Sequence, residues 1–177
     1  LFLFKAMAQN SVREQKYVLI KTKLGWMGVL GTSLGLCRIV LPQTTTEAVL
    51  ISLGNYLAVF SASSFDDLPY RLKQYLNGEV VTFCDKLDLA DATPFQQAVW
   101  GVTRSIPYGE TRSYRWVAEQ LGVPQARRAV GQALARNPLP IVVPCHRVIA
   151  ANGSSGGFRG GIEMKHYLLE MEALKIN

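Results

Sequence analysis

The sequence predicts a mixed α/β fold of the α+β kind, with a small antiparallel sheet and helices in its N-terminal half and a mostly helical C-terminal half. Three observations predict it. Short apolar runs separated by glycine-containing turns crowd residues 16–41. From Thr93 onward the apolar residues recur at helical spacing. Late in the chain the proline-bounded triplet Ile141-Val142-Val143 reads as a short buried strand that delivers Cys145 to a strand end.

Tyr17-Val18-Leu19-Ile20, Trp26-Met27-Gly28-Val29-Leu30 and Leu36-Cys37-Arg38-Ile39-Val40-Leu41 are the three runs of the meander. Gly25 and Ser33-Leu34-Gly35 are its turns. Residues 46–60 are mostly apolar and read as a helix, and residues 65–76 as a second helix ended by Asn77-Gly78. Val80-Val81-Thr82-Phe83 reads as another strand. No motif in this half carries assignable chemistry, so its expected role is structural.

A polar stretch over 85–93 marks a boundary, giving an N-terminal unit 1–92 and a C-terminal unit 93–177. Thr93 and Gln96 have the spacing of a capping box, and Pro94 suits the first helical position. Phe95, Val99, Val102 and Ile106 define one face of that helix, which Pro107-Tyr108-Gly109 ends. Tyr114, Val117, Ala118 and Leu121 then follow the i, i+3, i+4, i+7 rule. Gly122-Val123-Pro124 makes a turn, and residues 126–137 form a second helix. Helix, glycine turn and arginine-bearing helix is a helix-turn-helix pattern, although an ordinary helical hairpin has the same outline. The second helix is slender at Ala126, Ala129, Gly131, Ala133 and Ala135 and basic at Arg127, Arg128 and Arg136. That combination suits close approach to a nucleic-acid backbone or, equally, tight helix packing. A final helix over 162–174 places Tyr167, Leu168, Met171 and Leu174 on its apolar side.

The chain has 177 residues, 49% of them hydrophobic and 18% charged, enough for a real core. Its net charge of +6 is uneven. Residues 1–92 hold nine lysines and arginines against eight acids, and residues 93–177 hold ten against five. The excess is mostly arginine, which suits bidentate contact with phosphate. Three widely spaced cysteines, Cys37, Cys84 and Cys145, make no disulfide framework, and with two histidines they offer no zinc-ligand spacing. The compartment is expected to be reducing. Leu1-Phe2-Leu3-Phe4 is too short for a signal peptide or a membrane span, and Met7 is an alternative start.

Cys145 becomes a nucleophile only as a thiolate, so it needs a base. His146 is adjacent, but neighbouring side chains of a strand point apart, so contact requires a turn or a bridging water. Arg147 adds charge that favours thiolate. A lone Cys-His pair is more often a buried structural cysteine beside a histidine. An acid in the last helix would orient the imidazole as in other activated nucleophiles. Glu172 is one choice, and by spacing alone Glu163 and Glu170 are others.

Asn137-Pro138-Leu139-Pro140-Ile141 followed by Pro144-Cys145-His146-Arg147-Val148 resembles the active-site signature of the O6-alkylguanine-DNA alkyltransferases. Pro107-Tyr108-Gly109-Glu110-Thr111, Tyr114, Ala126-Arg127-Arg128-Ala129-Val130-Gly131 and Gly156-Gly157-Phe158-Arg159-Gly160-Gly161 fall in family order and spacing. The resemblance covers residues 93–174. It implies a ribonuclease-H-like N-terminal sheet and a winged helix-turn-helix C-terminal unit. It further implies a methylated-DNA–protein-cysteine S-methyltransferase that repairs O6-alkylguanine, and O4-alkylthymine, by a single irreversible transfer to Cys145.

The family mechanism implies a role for each matching residue. His146 deprotonates Cys145 through water while Glu172 holds His146. Tyr114 donates a proton to the leaving base, and Asn137 orders the turn. Arg128 enters the base stack as the damaged nucleotide flips out. Arg115, Ala126, Ala129 and Gly131 belong to the DNA-binding face. Pro140, Val148, Phe158 and Arg159 line the substrate pocket. Phe158 and Arg159 depart from the tyrosine and the smaller residue frequent in the family. The implied partner is duplex DNA, met by a monomer. The implied compartment is intracellular, cytoplasmic in a prokaryote and nuclear in a eukaryote. No cofactor, metal or membrane is implied. A non-catalytic damage sensor of the alkyltransferase-like kind would lack the cysteine. A helix-turn-helix regulator would not need the Pro-Cys-His-Arg motif, and a cysteine hydrolase would need an oxyanion hole.

Overall fold

The computed structural model describes residues 13–151, 153 and 157–174. The opening residues Leu1-Phe2-Leu3-Phe4, Met7, Asn152 and Gly156 lie outside the described residues. The meander forms as expected: β1 (Lys16–Thr22), β2 (Gly25–Thr32) and β3 (Gly35–Gln43) pair antiparallel in sequence. Gly25 and Gly35 begin β2 and β3 with φ of +124° and +151°, a region that a side chain disfavours. Helix α1 (Thr46–Leu53) packs on one face of the sheet, where Leu30, Val40, Val49 and Leu53 make a small core. The other face carries α2 (Leu68–Leu76) and the main core, which runs on into the C-terminal helices. Each buried leucine or valine there contributes about 1.5–3 kcal/mol relative to exposure.

Several expected elements differ. The helix expected over 46–60 stops at Leu53, because Gly54 takes a left-handed conformation and its N–H caps Leu50. The chain then adds β4 (Val59–Phe60) parallel to β1 at the sheet edge. The helix expected from Phe65 begins only at Leu68, after a 3₁₀ turn (Ala62–Phe65) and Asp66 at φ +44°. Residues 80–83 are not a strand. Their segment joins no ladder; instead the carbonyl of Thr82 accepts from Arg71, and those of Phe83 and Asp85 from Arg104.

The C-terminal half opens with α3 (Pro94–Arg104). Thr93 Oγ1 accepts from Gln96 N–H at 3.2 Å, and Gln96 Oε1 accepts from Thr93 N–H at 2.9 Å, completing the capping box. The buried face is Val99, Trp100 and Thr103, continued by Ile106; Phe95, expected on it, is exposed. Helices α4 (Tyr114–Gln120) and α5 (Arg127–Ala135) form the helix-turn-helix around Gly122 at φ +72°. Trp100 Nε1 donates to the Ala133 carbonyl and docks α5 on α3. The last helix, α6 (Ile162–Ala173), buries Lys165, Leu168, Met171 and Glu172, whereas Leu174 is exposed.

The strand expected over 141–143, leading into Cys145, does not form. Ile141 stands at φ +75°, a conformation that a β-branched residue rarely adopts, and residues 139–145 wind through tight turns. The strand lies after the cysteine: β6 (Val148–Ile149) pairs parallel with β5 (Arg112–Ser113), directly ahead of α4. The helix-turn-helix and the cysteine turn are thereby pinned together.

Gly35→Ala is expected to destabilise the protein by about 2 kcal/mol. The added Cβ would stand 2.4 Å from the Lys86 carbonyl oxygen as well as meet an unfavourable φ. Urea unfolding at neutral pH checks this, and an unchanged midpoint would contradict it.

Candidate active site

Residues 145–147 form a single 3₁₀ turn, Cys145–Arg147, in which all three side chains are buried. A turn, unlike a strand, lets adjacent side chains serve one site. Asn137 holds the turn from below. Its Oδ1 accepts from Leu139 N–H at 2.9 Å, and its Nδ2 donates to the Val143 carbonyl at 2.9 Å and to Cys145 Sγ at 3.1 Å. One amide therefore spans both ends of the strained segment and touches the sulfur. Burial pushes the Cys145 thiol up, while the Asn137 hydrogen bond and the positive Lys165 pull it back, so the resting form is the thiol.

His146 is fully buried. Its Nε2 lies 2.9 Å from Glu172 Oε1 and 3.1 Å from the Tyr75 hydroxyl. A carboxylate oxygen only accepts, so Nε2 carries the proton and Nδ1 holds the basic lone pair. Nδ1 is buried and meets no hydrogen-bonding group among the described residues. Burial lowers the His146 pKa, Glu172 raises it, and Arg147 and Lys165 lower it again; the net direction is down. The imidazole is a neutral base at neutral pH.

Glu172 is the acid of α6 that reaches the imidazole. Its Oε1 also accepts from Tyr75 at 2.6 Å and from Arg147 Nη2 at 2.8 Å. Oε2 accepts from Arg147 Nε at 2.9 Å and from Gly109 N–H at 3.0 Å. Burial alone would raise this carboxyl, but the hydrogen bonds and charges of His146 and Arg147 outweigh it and hold it at about 2. Arg147 is consequently committed to Glu172, to the Ile106 carbonyl and to the face of Tyr108, rather than to the thiol as its sequence position suggests.

The cation that favours thiolate is one the sequence did not single out. Lys165 is fully buried, donates to the Val148 carbonyl at 2.7 Å, and interacts electrostatically with Cys145. Its signal was present: it lies three residues before Leu168 and seven before Glu172, on the buried face of α6. Tyr75 was missed as well, because a tyrosine among Leu68, Leu72 and Leu76 reads as core.

The remaining candidates surround this centre. Half-buried Tyr114 begins α4, and its phenol is raised by burial and by charge at Cys145. Gly131 faces the Tyr114 ring, where a Cβ would meet it at an ordinary 3.7 Å. Pro140 and Val148 are buried, and Phe158 stands edge-on to His146 with ring centroids 6.5 Å apart. Arg159 is exposed and lines a groove of about 220 Å³ with Arg38, Pro138 and Pro140. On α5, Arg127, Arg128 and Ala129 are exposed and Ala126 is half-buried at its start. Arg115 is exposed and paired with Glu119 at 2.7 Å. A larger cleft of about 810 Å³ is lined by Cys37, Arg38, Asp88, Arg136 and Pro138, and by none of Cys145, His146, Glu172, Tyr114 and Asn137. Among the described residues no acid, histidine and cysteine cluster could hold a metal ion, and no helix is long and apolar enough to cross a membrane.

Comparison with known proteins places the chain among DNA methyltransferase relatives. Residues 94–174 match the family model described as the DNA binding domain of 6-O-methylguanine DNA methyltransferase. The chain is 51% identical over 109 residues to the methylated-DNA–protein-cysteine methyltransferase of Mycobacterium leprae, covering 62% of this chain and 66% of that protein. It is 46% identical over 108 residues to that of Methanosarcina acetivorans, covering 61% of this chain and 69% of the relative. The alignment thus spans about two thirds of these relatives. The crystal structure of Mycobacterium tuberculosis OGT in complex with DNA superposes with a TM-score of 0.77 at 39% identity, covering 90% of this chain and 94% of that one. The O6-methylguanine-DNA methyltransferase of Pyrococcus kodakaraensis superposes with a TM-score of 0.68 at 28% identity, covering 89% and 98%.

Glu172→Gln is expected to destabilise the protein by about 3 kcal/mol at pH 7, because it leaves the Arg147 guanidinium buried without its counter-charge. The depressed carboxyl pKa makes this contribution complete above the unfolded value of 4.5 and lost as pH falls towards about 2. The wild-type advantage over the variant should therefore shrink below pH 4.5. Paired urea titrations at pH 7 and pH 3 measure it, and equal stabilities at pH 7 would contradict the assignment.

Proposed function

The chain belongs to the methylated-DNA–protein-cysteine methyltransferase family, and on that basis we propose that it repairs O6-alkylguanine in DNA by moving the alkyl group irreversibly onto Cys145. The observation that carries the proposal is the turn Cys145–Arg147, in which a buried thiol is followed by a buried imidazole whose Nε2 is held by Glu172. The base is oriented, neutral and shielded, and the nucleophile is touched by Asn137. O4-alkylthymine is a second substrate of the same chemistry.

The reaction begins as a water relays the Cys145 proton to His146 Nδ1. The imidazolium is stabilised by Glu172, and the thiolate by Lys165 and Asn137. Sulfur attacks the alkyl carbon in line, the carbon–O6 bond breaks, and its electron pair leaves on guanine. Tyr114 supplies a proton to the base and regains one, through solvent, from the His146 imidazolium, so that the net proton passes from thiol to guanine and both side chains end neutral. The product is a thioether, which lies off the reversible thiol ladder, and each molecule reacts once. No cofactor enters this balance.

Residues 93–177 are the DNA-binding and transferring unit of this proposal, and residues 1–92 support it. The exposed arginines of α5 meet the backbone, and small Ala126, Ala129 and Gly131 let the helix lie close in the minor groove. Arg115 reaches phosphate. Arg128 fills the gap when the nucleotide rotates out, since a buried thiol cannot reach a base inside the stack. Pro140, Val148, Phe158 and Arg159 bound the pocket that receives it. The protein acts as an intracellular monomer, in the cytoplasm of a prokaryote or the nucleus of a eukaryote.

Duplex DNA carrying O6-methylguanine is expected to add one methyl group to the Cys145 peptide, and repaired DNA to plateau near one equivalent per protein. Intact-protein mass measurement reads both; an unmodified protein, or continued turnover, would sink the reading. Arg128→Ala is expected to slow repair of duplex DNA at least tenfold while sparing reaction with a free O6-alkylguanine, roughly the effect of removing a wedge that stabilises a flipped base by a few kcal/mol. Equal losses on both substrates would remove Arg128 from that role.

A further inference from the structure

We infer that Tyr75, a residue of the N-terminal half, is a positioning residue of the transfer reaction, locking His146 in the tautomer whose Nδ1 is the base. The inference rests on the transfer reaction proposed above. Tyr75 lies on α2, outside the matched residues 94–174. It is fully buried and reaches across to a carboxylate 97 positions away in sequence. Its ring is fixed edge-on by Phe83 at 5.8 Å and by Tyr108 at 6.1 Å.

The phenol has one hydrogen, and its partners decide where that hydrogen goes. At 2.6 Å from Glu172 Oε1, an acceptor-only oxygen, the O–H donates to the carboxylate. The phenol oxygen then has only lone pairs to offer His146 Nε2 at 3.1 Å. Nε2–H is therefore shared between two acceptors, Glu172 Oε1 and the Tyr75 oxygen. The opposite tautomer would set the Nε2 lone pair against both oxygens. This closed triangle holds the ring in plane and leaves Nδ1 as the basic atom.

Tyr75 also tempers the carboxylate. By donating to Oε1 it draws charge away from the oxygen that attracts Nε2–H, which keeps His146 from becoming protonated before the thiol gives up its proton. The charged and titratable groups around the imidazole are Glu172 and Lys165 on α6, Arg147 and Cys145 on its own turn, Tyr75 on α2, and Tyr108 after α3, with Tyr114 of α4 facing Cys145. Of these, Tyr75 alone bonds both the imidazole and its carboxylate.

The test is single-turnover methyl transfer by the full chain, followed by intact mass from pH 5 to 9, for wild type and Tyr75→Phe. Loss of a hydrogen bond to a charged group corresponds to about a tenfold slower transfer at neutral pH. With the hydroxyl gone, Oε1 holds Nε2–H more strongly, so the acid limb of the rate profile is expected to move to higher pH. A uniform loss at every pH, or no loss, would overturn the inference. Nitrogen-15 spectra of the wild-type imidazole, assigned against His166→Gln, need no Tyr75 variant to fold. A protonated Nε2 with a bare Nδ1 supports the triangle, and the reverse overturns it. A wild type that gains no methyl group sinks the proposed function itself, whereas the role of Tyr75 is still decided by the imidazole titration in the same spectra, which is expected at higher pH in Tyr75→Phe than in wild type and which, if unchanged, overturns the inference.

Discussion

Everything near the thiol hangs on one buried carboxylate. Glu172 receives hydrogen bonds from α2 through Tyr75, from the loop after α3 through Gly109, and from the cysteine turn through His146 and Arg147. A carboxylate deprived of water is costly unless its lone pairs are filled. Here the filling groups come from three parts of the chain and meet a fourth, α6, so satisfying the charge and assembling the site are the same event. The N-terminal half is drawn into the chemistry by that demand. The main core does likewise, running without interruption from β1 to α6.

A second constraint acts at the other end of the turn. Asn137 fills the backbone groups of a segment that no regular element could satisfy, and its remaining N–H reaches the sulfur. Ile141 tolerates a positive φ because its neighbours are already bonded and its side chain is buried. The two devices are complementary: Glu172 holds the imidazole of His146, and Asn137 holds the backbone and sulfur of Cys145. The β5–β6 pair carries that arrangement to the start of the helix-turn-helix.

What was legible in the sequence was mainly local. The meander, the Thr93–Gln96 capping box and the glycine turn of the helix-turn-helix depend on residues a few positions apart, and each formed as read. The adjacent Cys145 and His146 were visible, but their geometry was not, because a strand was expected where Ile141 turns the backbone over. Spacing alone left Glu163, Glu170 and Glu172 equivalent; the family resemblance chose Glu172, and the burial of one face of α6 explains why it is the one inside. Tyr75 and Lys165 were hidden for a different reason. A tyrosine or lysine on a buried helix face is recognisable as chemistry only when the group opposite it is known, and that group is far away in the chain. The strand expected over 80–83 failed because Arg71 and Arg104 take its carbonyls, a long-range competition that β-propensity does not register.

The burial of the cysteine turn has a kinetic meaning. Ordinary enzymes must open to discharge product, and their sites retain some looseness for that reason. In the proposed transfer the group stays bonded to Cys145, so no exit path would have to be kept and no return stroke would have to be fast. Under that proposal the architecture is free to treat the thiol as a stored reagent, capped by an amide and sealed at 7% exposure until a base is brought to it. In such a molecule shelf-life matters more than cycle time.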